Sequence, residues 1–396
     1  MEGKISRILS AAALLVMGTA LGFVIAYTQI DPGSIGTSAG AQKYDEIMNL
    51  VDAYYIGEDP DETAINDAMA DAVVEAVGDR WSYYVSAEDY QSYLDNIYNS
   101  YVGVGITILA HYDEDENFVG YEVTEVTAGG PAEEAGVLAG DILTTVDGTD
   151  VTTITMTETK NLVKGKEGTT VELTFLRGEA TVTITVERRS FTLIPAEGRM
   201  LEGKVGYIVI DNFDAGCADT VKALVEELQQ EGAESLLFDV RNNPGGLKSE
   251  LTKLLDYLLP EGIVFHTLNY AGEEEVVYSD ADHVDMPMAC LVNGSSYSAA
   301  EYFACCIQEY GVGKVIGEKT CGKGYYQVGM QLSDGSAVNL SIGKYFTPSG
   351  VSLIDVGVTP DVELQLDDEL ATLLAQGKLE PEEDPQVQAA LGTLNP

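Results

Sequence analysis

The chain has 396 residues, 45% of them hydrophobic, and sets 65 acidic side chains against 21 basic ones for a formal charge of −44. That length carries two or three domains and a sizeable core. The charge argues against nucleic acid as a partner, because phosphate binding needs clustered Lys and Arg, and it reads as a solvated acidic surface.

In chain order, Ile8 to Ile30 carry no charge, with Lys4 and Arg7 before them and Asp31 after. As a helix such a run spans about 34 Å, enough to cross a bilayer. The flanking charges predict a cytoplasmic stub and transmembrane anchor over 1–30, with the rest of the chain extracytoplasmic. A cleaved signal peptide is the rival reading; the run is long for one, and no persuasive small-x-small site ends it. Residues 31–40 read as a linker. Over 41–98, Ile47, Leu50, Val51 and Tyr54, then Ile65, Met69, Val73, Val74 and Val77, recur at helical spacing. A turn at Gly78-Asp79-Arg80 precedes a capped helix start at Ser86-Ala87-Glu88-Asp89.

Composition shifts near Tyr101. Tyr121–Val126, Val171–Phe175 and Val182–Val186 alternate as strands, and Gly130–Val137 reads as a short helix with Pro near its start and Gly near its end. Residues 99–190 thus form a small β-rich domain. Within 191–365, strands Val205–Ile210, Ser235–Val240 and Met288–Val292 alternate with helices Ala218–Glu231, Lys248–Leu259 and Ala299–Tyr310. That is an α/β pattern with a largely buried sheet. The segment 366–396 reads as an acidic, peripheral tail in which Asp384–Leu394 can form a helix. Cys217, Cys290, Cys305, Cys306 and Cys321 are odd in number and irregularly spaced, which suits neither a disulfide framework nor a zinc site. His283 beside Asp280 and Asp282 reads as a loop; no metal and no cofactor is expected.

The chemistry concentrates at Ser298 and Lys323. Ala299, Ala300, Phe303, Ala304 and Ile307 make one apolar helix face, so Ser298 falls at a helix N-terminus. Free N–H groups and the positive dipole end there can stabilise an oxyanion; the plainer reading of the serine is an N-cap. Lys323 lies between Gly322 and Gly324, where loss of solvent can lower an amine's pKa toward general-base use, and Gln327 follows. With three histidines in the chain (His111, His266, His283), a Ser-Lys pair competes well with a histidine triad. Asn243-Pro244-Gly245-Gly246 forms a Gly-rich turn after a strand, suited to presenting N–H groups to an anion.

These segments, Gly294-Ser295-Ser296-Tyr297-Ser298-Ala299-Ala300-Glu301, Thr320-Cys321-Gly322-Lys323-Gly324 with Gln327, and the Asn-Pro-Gly-Gly turn, resemble the carboxyl-terminal processing (tail-specific) peptidases. Asp79-x-x-Ser82-x-Tyr84, Lys344–Gly350 and Gly357–Asp361 extend the similarity over about 41–365. The resemblance implies Ser298 as nucleophile, Lys323 as general base and Gln327 as the residue that positions the lysine. It implies an oxyanion hole from the N–H of Ala299 and that of Gly245 or Gly246, on a crotonase-like α/β core with an inserted PDZ domain. Tyr101–Ile106 resembles the PDZ loop whose amides hold a peptide carboxylate, with Gly103, Val104, Gly105 and Ile106 as the binding residues. The implied partners are protein substrates with free C-terminal tails, captured by a PDZ domain that gates the cleft. Homodimers and regulator proteins occur in the family and are not legible in these residues.

Two departures stand out: Cys321 where the family commonly has Phe, and Tyr297 where a small residue is common. An inactive PDZ scaffold and an acyl-CoA enzyme on the same core are the other readings. The intact Ser298, Lys323 and Gln327 argue against the first. The anchor, the PDZ-like insert and the acidic charge argue against the second.

Overall fold

Strands Ser235–Asp239 and Met288–Val292 are buried along their whole length. Apolar runs without alternation are what a parallel strand covered on both faces requires. They form the middle of a six-stranded sheet with strand order Ala196–Leu201, Val205–Ile210, Ser235–Asp239, Met288–Val292, Gly313–Gly317 and Val362–Glu363. The pairings from Val205–Ile210 onward are all parallel. The helix Ala299–Glu309 is buried from Ala299 to Ile307, a stretch that is apolar except for Glu301 and the Tyr302 hydroxyl.

The structure is a computed structural model that describes residues 39–394 apart from 59–60, 114 and 116. The expected anchor at 8–30 lies outside them. Among the described residues no helix is long and apolar enough to cross a membrane. The chain divides into two units, one built from residues up to Tyr93, Gly198–Phe213 and Val221 onward, the other from Leu94–Glu197 with Asp214–Thr220.

The first unit holds the parallel sheet and a second, antiparallel one. In the latter, Ala337–Phe346 pairs with Tyr83–Val85, Gly262–Asn269 and Tyr325–Gln331, and Gly262–Asn269 pairs with Glu274–Ser279. The helices Ala39–Tyr54 and Glu62–Glu75 form where the 3–4 spacing places them. Much of their apolar stripe is left uncovered: Ile47, Leu50, Tyr54 and Val73 are exposed, whereas Val74 is buried.

The C-terminal segment corrects the expectation of a peripheral tail. The helix Pro385–Leu394 places fully buried Val387 and Ala390 in a cluster with Leu237, Ala289, Leu291 and Ile316 of the parallel sheet. Asp384 and Gln386 at its start are buried too. Acidic composition gave no sign of this, because Asp384 is neutralised by Arg241, far away in the sequence.

The second unit is an antiparallel sheet in which Ile106–Tyr112, Phe118–Val126, Ile142–Val146, Thr170–Arg177 and Ala180–Glu187 follow one another. Val123, Leu143, Val146, Leu173, Phe175 and Val186 form its core with no exposed surface. The short helix Pro131–Ala135 has Pro at its start and ends on Gly136 in the left-handed region.

Candidate functional site

Three loops leave the carboxyl ends of neighbouring parallel strands, the usual place for a site in an open α/β sheet. Asn242–Gly246 follows Ser235–Asp239, Asn293–Ser298 follows Met288–Val292, and Glu318–Gly324 follows Gly313–Gly317. Buried Ser296 and two asparagines knit the first two loops together. Ser296 Oγ donates to Val240 O at 2.7 Å, and Asn293 Nδ2 donates to Asn242 Oδ1 at 2.8 Å. The Tyr297 N–H donates to Asn243 O at 3.2 Å.

Ser298 sits immediately before the helix Ala299–Glu309 with φ 60° and ψ −121°. A serine in that region is strained, and such strain concentrates at functional sites. Gly245, at φ 94°, packs directly on it: a Cβ there would lie 2.6 Å from Ser298 Cβ and 2.8 Å from Ala299 N. The Gly245 N–H donates to Asn243 Oδ1 at 2.8 Å. The N–H groups of Ala299 and Gly246 meet no acceptor among the described residues. Of the two glycines offered by the sequence, Gly246 is therefore the one with a donor to spare.

Glu301 is the residue to which sequence reasoning assigned no role. Its carboxylate is fully buried, which would be prohibitive for a lone charge. It accepts from Thr320 Oγ1 (2.6 Å), Gly322 N (2.5 Å), Lys323 N (3.0 Å) and Ser298 N (3.2 Å). One side chain thus ties the backbone of the serine to that of the lysine. The signal was present in the sequence as a Ser-x-x-Glu capping pattern, which foretells the bond to the serine N–H but not those to the lysine loop.

The Lys323 ammonium has no hydrogen-bond or ion-pair partner among the described residues, Ser298 Oγ included. Nζ lies 4.9 Å from the ring centroid of Trp81 and 5.8 Å from that of Tyr297. Loss of solvent lowers its pKa from 10.5 to about 8, against the upward pull of Glu301, Asp79 and Cys321. Asp79 is held below the usual carboxylate range: burial raises it, but hydrogen bonds from Ser341, Ser82 and the Trp81 N–H outweigh burial. Gln327 makes no hydrogen bond to the lysine among the described residues. Its Nε2 donates to Ser341 Oγ at 3.0 Å and to Tyr325 O at 3.3 Å, so its path to Lys323 runs through Ser341 and Asp79. Cys321 is half-buried with Arg80 Nη2 at 3.6 Å from its sulfur.

In the second unit, Gly103 is held in a strand pair with Arg189, and Ile106 opposite Val126. Val104 O accepts from Ala132 N and Gly105 O from Thr127 N, at 2.8 and 3.0 Å. The N–H groups of Val104 and Gly105 have no acceptor among the described residues. The adjoining strand Ile106–Tyr112 is at the sheet edge, with one side unpaired within its sheet.

Comparison with known proteins agrees with this division. Residues 204–364 match peptidase family S41 and residues 122–177 match the PDZ domain. A CtpA-like serine protease of Staphylococcus aureus (strain MSSA476) is 29% identical over 358 residues, which is 88% of this chain and 70% of the relative. An S41 protease structure from Bacteroides fragilis superposes with a TM-score of 0.57 at 19% identity, covering 88% of this chain and 95% of that one, a likeness of fold. The photosystem II D1 C-terminal processing protease is 27% identical with a TM-score of 0.49, covering 86% of this chain and 92% of that one. An S41 peptidase domain and a PDZ domain in one chain, with CtpA-like relatives, make this a serine-type peptidase of the C-terminal processing kind.

Proposed function

We propose that the protein is a membrane-anchored, extracytoplasmic endopeptidase that cleaves proteins near their C-termini, with Ser298 as nucleophile and Lys323 as general base. The observation that carries this reading is the pair of strained Ser298 and partnerless, half-buried Lys323, tied through the single carboxylate of Glu301. Ser298 Oγ attacks the scissile carbonyl as its proton passes to the neutral lysine amine. The carbonyl electron pair moves onto oxygen, where the N–H groups of Ala299 and Gly246 stabilise it. The lysine ammonium then protonates the leaving amine as the C–N bond breaks, and the acyl-enzyme is hydrolysed by a water that the same amine deprotonates. Gln327 acts on the lysine indirectly, through Ser341 and then Asp79. The PDZ loop at Val104 and Gly105 captures the substrate's terminal carboxylate and controls entry, while the tail adds as a strand beside Ile106–Tyr112. The membrane is engaged through residues 8–30.

A fluorophosphonate probe tests the chemistry. The wild-type chain should be labelled at one serine. Ser298→Ala should abolish labelling and peptide cleavage together, and Lys323→Ala should lower both by several powers of ten. Labelling that survives Ser298→Ala overturns the assignment; a wild-type chain that neither labels nor cleaves is the inactive scaffold.

A further inference from the structure

Trp81 is the only tryptophan of the chain, and Tyr297 was noted for its bulk beside Ser298. Their rings lie 5.6 Å apart, centroid to centroid, and both lie within 6 Å of the Lys323 ammonium. A ring face attracts an ammonium through its quadrupole and has no such attraction for a neutral amine. No hydrogen-bond or ion-pair partner among the described residues reaches Nζ, and Asp79, Glu301 and Cys321 act on its charge only from a distance. The carboxylates that face it, Asp79 and Glu301, give their oxygens to Ser82, Ser341, Thr320 and backbone N–H groups.

We propose that Trp81 and Tyr297 form an aromatic clamp that holds the charged Lys323 side chain and releases it as the neutral amine to Ser298, which makes both aromatics positioning residues for the base. The inference rests on the Ser-Lys reading above. It gives a role to the departure at Tyr297 and brings the segment around Trp81 into the site. The other charged or titratable groups facing the lysine are Asp79, Glu301, Cys321, Arg80 and the Tyr297 phenol. Arg80 lies over the same indole, its guanidinium carbon 4.3 Å from the ring centroid. Asp79 is ionised far below neutrality, and burial pushes the Tyr297 phenol upward, so neither changes charge in the range where the lysine does. Cys321 is removed as a variable by a Cys321→Ser background.

One tryptophan makes global replacement site-specific. Growth with fluorinated tryptophans of rising fluorine count weakens the ring quadrupole while keeping the indole shape. In the full-length chain, the acid limb of kcat/KM should move to lower pH step by step, by roughly half to one unit for the trifluoro ring, with KM little changed. Tyr297→Phe keeps the ring face and should leave the limb in place, whereas Tyr297→Leu should move it in the same direction. A tryptophan that merely packs would leave the limb where it is under every degree of fluorination, and that result overturns the clamp. The second readout needs no activity. With 5-fluorotryptophan in Ser298→Ala/Cys321→Ser, the single fluorine resonance should titrate near pH 8 and go flat when Lys323→Met is added. A resonance that titrates identically without the lysine also overturns the proposal. Retained cleavage in Lys323→Met alone would instead overturn the Ser-Lys reading, leaving the fluorine titration to judge the clamp.

Discussion

Two cations are sequestered in the peptidase unit, and they are treated in opposite ways. Every guanidinium nitrogen of Arg241 has an acceptor: Nε and Nη2 donate to Asp239 at 2.9 and 2.5 Å, and Nη1 donates to Asp384 at 2.6 Å and to Gln386 at 2.8 Å. Tyr207 closes the network by donating to Asp239 at 2.7 Å. Burial alone would lower the guanidinium's pKa, but Asp239 and Asp384 more than offset it and hold the charge firmly. Lys323 has two ring faces and no acceptor, and its pKa falls. The paired charge fixes the strand end that leads into Asn243–Gly246, and the unpaired one stays free to exchange a proton. Perturbed groups of the second kind are where chemistry is to be sought.

The comparison breaks first at Asp384. Asp384→Ala should destabilise the fold by about 3–5 kcal/mol, because it strands a buried guanidinium on one remaining carboxylate. Thermal unfolding reads this; a change below about 1 kcal/mol would mean that Arg241 does not depend on the C-terminal segment.

Lys323→Met should do the reverse and stabilise the fold while abolishing activity. The sign follows from the lowered pKa. Between about 8 and 10.5 the unfolded chain binds more protons than the native one, so native stability rises with pH across that window. The penalty is fully present below about 8. Lys323→Met should therefore be more stable than wild type by about 2–3 kcal/mol at pH 7, with the gap closing by pH 10.5. Equal stability at both pH values would show that the lysine is not strained by burial.

The smallest effect lies in the PDZ unit. Peptides with a free apolar C-terminus should bind full-length Ser298→Ala about tenfold more tightly than their amides, since charge-assisted bonds to the Val104 and Gly105 N–H groups are lost on amidation. Calorimetry giving equal affinities would leave the domain without a tail-capture role.

The strands Val205–Ile210 and Met288–Val292 were legible because a buried parallel strand is an unbroken apolar run. Ser298 was legible as a helix start for a similar reason, the apolar face that follows it. The hairpins Gly262–Ser279 and Tyr325–Phe346 were not, since their half-buried residues alternate weakly. Helical spacing foretold Ala39–Tyr54 and Glu62–Glu75 but said nothing of whether a partner covers them. The surroundings of the lysine were the least legible. Trp81, Tyr297 and Glu301 reach Lys323 through contacts between distant segments, which no local pattern encodes, and the same holds for Asp384 at Arg241.

The central claim is that a neutral Lys323 activates Ser298. The rate of fluorophosphonate labelling at Ser298, followed from pH 6 to 10, tests it most directly. The rate should climb through a midpoint near pH 8 and reach a plateau, and Lys323→Met should remove both the climb and nearly all of the rate. A rate that is flat across this range, or a climb that survives Lys323→Met, would contradict it.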